Sequence, residues 1–247
     1  MSDHFRTIGF TLEREELESL VARAISNGAI IPARHGDYHV WTPGAGAELW
    51  VHTHLVDGRR ELAGANPHFN GEARTTAIVE ALAPDAEHAL EGELYAWASE
   101  GDREHGLYPF SASVPDFDGS LALRDVPFRT TLALAGFAHD LTWWEDESAH
   151  ARSRADAGDR LPITPIVPLG LFASGTGRAR SQAIVTGTVL ESETRINPAT
   201  ERAFRRMRVT TYGGDIDILA APEIVEGLPP VGSIVRATCW LTARIVA

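Results

Sequence analysis

The chain has 247 residues, 44% of them hydrophobic, and a formal net charge of −12, enough apolar material for one large core or two smaller ones. None of its 22 basic residues is lysine, which excludes Schiff-base chemistry, a pyridoxal-phosphate site and a P-loop, while a single cysteine, Cys239, excludes an internal disulfide and a cysteine zinc cluster. Residues 1–160 carry 13 arginines against 27 carboxylates and residues 161–247 nine against seven, so any anionic partner must use the C-terminal part. An all-arginine basic complement is what a GC-rich bacterial genome produces.

The first residues lack the charged-then-apolar order of a signal peptide, and the apolar runs near Ile163 and Leu171 are short and broken by proline. The expectation is a soluble cytoplasmic protein with no membrane partner. A short apolar piece at residues 7–10 precedes the clearest helix of the chain, residues 12–27. There Leu12, Leu17, Leu20, Val21, Ala24 and Ile25 form one stripe, Thr11 is placed to cap the start, and Gly28 suits a left-handed stop. Strand patterns follow at residues 29–31, 38–42 and 47–55, and again at 76–82, 92–98, 107–114 and 130–142. Residues 58–69 and 101–110 share a loose Gly/Arg/Glu then Gly, Pro, Phe order, read as two similar hairpin tips. A mainly β fold with some α is expected, with a helix lying on a sheet in an acidic α+β domain over residues 1–165.

Within the 47–55 strand, period-2 alternation puts Glu48, Trp50, His52 and His54 on one face and Leu49, Val51, Thr53 and Leu55 on the other. Two imidazoles at i and i+2 with a carboxylate can share a divalent metal, and the same pattern also describes the wet side of an amphipathic strand. His68 and His139 carry no motif of their own. Ser174 lacks the first glycine of a nucleophile elbow, and Gly44-x-Gly46 and Gly175-x-Gly177 lack the third glycine of a dinucleotide fingerprint. The order His4, helix, Gly28, the Gly36-Asp37-Tyr38 turn and Glu48 resembles one βαβββ module of the vicinal oxygen chelate superfamily, the glyoxalases and extradiol-type dioxygenases. That resemblance covers residues 3–55. It implies a first strand bearing a ligand at His4 and a fourth bearing one at Glu48, in a metal-dependent enzyme, with His52 or His54 adding to the set.

Residues 144–160 alternate in charge and read as an exposed short helix or linker, with Trp143 and Trp144 ahead of it as candidates for an interdomain or subunit contact. Prolines at 162, 165 and 168 mark an extended connector, placing a linker at residues 166–180 and a second domain at 181–247.

In that second domain a strand at 182–190, bent at Gly187, precedes a hairpin at 203–220. A two-residue turn at Gly213 and Gly214 sets Met207 opposite Ala220, Val209 opposite Ile218 and Thr211 opposite Ile216. Residues 235–245 then alternate as one long strand. This layout resembles an OB-fold, an antiparallel barrel. Phe204, Arg206, Arg208 and Tyr212 fall on the outward face of the hairpin, where rings interleaved with guanidinium groups suit single-stranded nucleic acid. Asp215 and Asp217 lie close enough to neutralise that patch.

The sequence therefore points first to a non-catalytic bacterial binding or assembly protein with an OB-like module, partnered by another protein or by a second copy of itself. A metal-dependent enzyme of vicinal oxygen chelate type is the next reading. Single-stranded nucleic-acid binding is the third.

Overall fold

The computed structural model describes residues 3–10, 13–99, 106–158, 165–169 and 181–246. Its strands form two sheets, and helix is a minor component. The four-stranded sheet is an antiparallel meander of β1 (Ala29–Pro32), β2 (Asp37–Gly44), β3 (Ala47–Val56) and β4 (Arg59–Phe69). β4 occupies the segment the sequence presents as a hairpin tip. Charged residues at its start and Pro67 within it mask the strand pattern, and proline is tolerated because β4 is an edge strand.

Helix α1 (Arg14–Asn27) packs Leu20 and Ala24 onto this sheet. The left-handed stop expected at Gly28 is absent: its φ is −72°, and the glycine is required for space, since a Cβ there would lie 2.4 Å from the Ala24 carbonyl oxygen. Thr11 and Leu12, the expected cap and first helical residue, lie outside the described residues. Ahead of α1, Asp3–Ile8 is a 3-10 helix, so the first strand implied by the vicinal oxygen chelate resemblance is replaced by a single tight helical segment.

The larger sheet contains β5 (Thr75–Pro84), β6 (Gly92–Ala98), β7 (Pro109–Ser113), β8 (Phe128–Trp144), β9 (Ile166–Leu169), β10 (Gln182–Asn197), β11 (Arg202–Thr211), β12 (Gly214–Ala220) and β13 (Ile234–Val246). Two short helices, α2 (Phe117–Ser120) and α3 (Glu147–Asp156), interrupt the strands; α3 is the exposed helix expected near residue 150, capped by Asp146 accepting from the Ala149 amide. Of the expected linker, residues 166–169 are the strand β9 on β10, and residues 170–180 lie outside the described residues. Among the described residues no helix is long and apolar enough to cross a membrane.

Strand pairing in this sheet has an internal exchange relation. β8 and β13 pair antiparallel along almost their whole length. The meander β10–β11–β12 attaches to that ladder by β10 antiparallel to β13 and β12 parallel to β8. The meander β5–β6–β7 attaches by β5 antiparallel to β8 and β7 parallel to β13. Each meander thus closes a five-strand circuit using the same two long strands, with their roles exchanged. One continuous hydrophobic cluster runs through both, from Val79, Leu94 and Phe110 to Val185, Met207, Val209 and Ile218, with Cys239 and Leu241 of the shared ladder between them.

In the β11–β12 hairpin the pairs are Met207 with Ile218, Val209 with Ile216 and Thr211 with Gly214, so the turn residues are Tyr212 and Gly213 rather than the two glycines. The register is displaced by two residues from the expected one. A two-residue slip preserves the side-chain faces, which is why the inward set is unchanged. Gly187 sits where a Cβ would lie 2.3 Å from the Thr210 carbonyl oxygen, whereas the irregularity in β10 falls at Leu190.

Candidate functional site

The face of β11 that points away from the circuit is itself covered. Phe5, Ile8 and Phe10 from the N-terminal segment join Leu49, Val51 and Phe69 of the four-stranded sheet and Phe137, Phe204 and Leu219 in a second core between the two sheets. Phe204 is fully buried, its ring edge-on to Phe69. Arg206 is buried, bound to Asp217, Glu191 and Glu193. Arg208 is held by Glu191, and Tyr212 alone of the four is well exposed. The outward patch expected from the sequence is therefore an internal interface plus one free ring. Alternation identified the face correctly but could not show that a second sheet lies on it.

Where the second core ends, the two sheets part and leave a cleft of about 710 Å3. β3 and β4 contribute His52, Asn66 and His68; the β5–β6 hairpin contributes Asp85, Glu91, Glu93 and Tyr95. β7, β8 and β13 contribute Ser113, His139, Trp240 and Thr242, and the 3-10 helix contributes His4. Cross-strand register explains the first group. Glu48 pairs with His68, Trp50 with Asn66 and His52 with Gly64, so alternate residues of β3 and β4 share one face.

Of the four residues expected to ligate metal, His4 and His52 line this cleft. Glu48 is turned to Trp50, whose Nε1 donates to it at 2.8 Å, and to Arg244 at 3.6 Å. Burial pushes its carboxyl above the usual range. His54 lies beyond a bulge in the β3–β4 ladder, opposite Glu61 and half-buried. The wet face expected for β3 is also absent over residues 47–53, which are buried on both sides because the strand is sandwiched. Among the described residues no group of three or more His, Cys, Asp or Glu stands at metal-ligand spacing.

Behind its surface lies a set of buried polar atoms without protein partners. Both ring nitrogens of His68, Nε2 of His52 and Oγ1 of Thr242 are inaccessible and unpaired, on residues no more than 2% exposed. Burial and the charge of Arg244 push the His68 imidazole down to about 3, so it is neutral at physiological pH. His52 Nδ1 stands 3.3 Å from Glu91 Oε1, which also accepts from Asn66 Nδ2 at 3.0 Å. Burial alone would raise Glu91, but His52, His88 and Asn66 hold it below the usual carboxylate range. Glu93 accepts from the Ser181 amide and hydroxyl and from Tyr95. On the opposite wall His4 lies flat on Trp240, centroids 4.3 Å apart, and Trp240 Nε1 donates to Ser113 Oγ at 3.0 Å.

His68, Glu91 and Trp240 carried no signal in the sequence, because what lines the cleft beside each of them comes from segments far apart in the chain. Compared with protein-family models, with curated proteins and with solved structures, the chain has no match.

Proposed function

We propose that the protein is a non-catalytic binding protein whose ligand is a small polar molecule held in the cleft between the two sheets. The observation that carries this reading is the cleft itself, about 710 Å3, on which polar side chains from both sheets converge: His52, Asn66 and His68 from one, Glu91, Glu93 and Thr242 from the other. The carboxylates of Asp85, Glu91 and Glu93 line the same space, which favours a ligand rich in hydrogen-bond donors, hydroxylated or amine-bearing. In this reading the two circuits are OB-like barrels fused through β8 and β13, a rigid frame that holds the walls apart. The nucleic-acid reading loses its main support, since Phe204 and Arg206 are committed to internal contacts.

The test is a ligand-observed NMR screen of polar small molecules against the wild type and A83W, in which an indole on a half-buried cleft residue fills the cavity. Compounds that bind the wild type and are lost from A83W are expected. Binding that survives A83W places the ligand elsewhere and refutes this reading.

A further inference from the structure

At the mouth of the cleft, His4 Nε2 and His139 Nε2 are 3.2 Å apart. Two nitrogens bound to one tetrahedral zinc at roughly 2.0–2.1 Å stand about 3.3–3.4 Å from each other, so the pair already has the bite of a chelate. From this convergence we infer that His4 and His139 form a site for a divalent cation that prefers imidazole, such as Zn2+, Ni2+ or Cu2+.

Each ring is positioned by a distinct feature of the backbone. In the β8–β13 ladder Thr238 pairs with Asp140 and Cys239 with Ala138, leaving His139 as the extra residue of a β-bulge. Bulges re-aim side chains next to functional sites, and this one leaves His139 exposed beside the cleft. His4 is fixed from the other side by the 3-10 helix, where Thr7 Oγ1 donates to its carbonyl, and by the stack on Trp240 with the planes 7° apart. The two rings supply two positions. The others would be filled by water or by donor atoms of a bound molecule. This site stands on geometry independent of the groups deeper in the cleft.

The test uses the full chain purified without a histidine tag, titrated with Zn2+, Ni2+ and Cu2+ separately near pH 7.5 by calorimetry and by tryptophan emission. One equivalent of metal is expected, with Cu2+ quenching emission because Trp240 lies against His4. H139Q alters an exposed side chain and leaves the core intact; it should weaken binding by more than the roughly 10- to 100-fold attributed to loss of an outer-shell partner, and H4Q should do the same. If H139Q takes up metal as the wild type does, or the wild type takes up none, the pair is an ordinary imidazole hydrogen bond and the inference is overturned. Small-molecule binding blocked by A83W would persist in that case, which separates the two proposals.

Discussion

Arg206 and Asp217, each about 2% exposed, meet with Nη2 and Oδ1 2.7 Å apart, beneath a loop whose Ala73 amide also donates to Asp217. Glu191 and Glu193 of β10 reach the same guanidinium at 2.6 and 3.2 Å. Removing Arg206 leaves Asp217 buried without its cation, whereas removing Asp217 leaves Arg206 held by the half-exposed Glu191 and Glu193. R206A should therefore lose about 3–5 kcal/mol in urea denaturation and D217A less, whereas replacing both by apolar residues of similar volume should cost far less than R206A. A loss under about 1 kcal/mol for R206A would show that the pair is not buried in solution.

Phe204 and Tyr212 stand on the same hairpin with opposite fates. F204A empties a fully buried ring site and should cost about 3–5 kcal/mol. Y212A removes an exposed ring and should stay within about 0.5 kcal/mol. Equal effects in chemical denaturation would contradict the second core between the sheets.

Acid should destabilise the fold before its carboxylates titrate fully, and His68 is one cause. The unfolded chain protonates this imidazole near its ordinary value of 6.5, while the folded protein resists until about 3. Between those limits the unfolded state binds the extra proton, so stability falls with decreasing pH, by up to about 1.4 kcal/mol per unit from this group. H68Q, which cannot titrate, should flatten that slope over the same window. An unchanged slope would mean that His68 is protonated in the folded protein.

Because β8 and β13 belong to both circuits, the two halves of the larger sheet should unfold together. Cys239 reports on this directly: it is buried in the shared ladder, and burial pushes its thiol well above the usual range. Thiol labelling should track global unfolding in denaturant as a single transition. Labelling well below that transition would show the ladder opening alone.

Local patterning in the sequence was enough to place most strands, because each buries one face in a core and alternates accordingly. β4 escaped it through Pro67 and its charged start. The parity of the β11–β12 hairpin was legible, while its register was not, since a shift of two residues leaves every apolar side chain on the same face. Long-range partnership was the larger blind spot. Nothing local in β8 says that it runs parallel to β12, so the strand that completes the circuit around the C-terminal meander could not be assigned from residues 181–247 alone. The cleft shares that origin, and of its histidines only His4 and His52 stood in patterns that single out chemistry.

The most direct test of the cleft as the ligand site is the long-range 1H–15N spectrum of the histidine rings during titration with the tightest compound that A83W fails to bind. The His68 ring nitrogens are expected to shift and saturate with the same dissociation constant as the ligand signals, with His52 following. A ligand that saturates while the His68 and His52 resonances stay in place would contradict it.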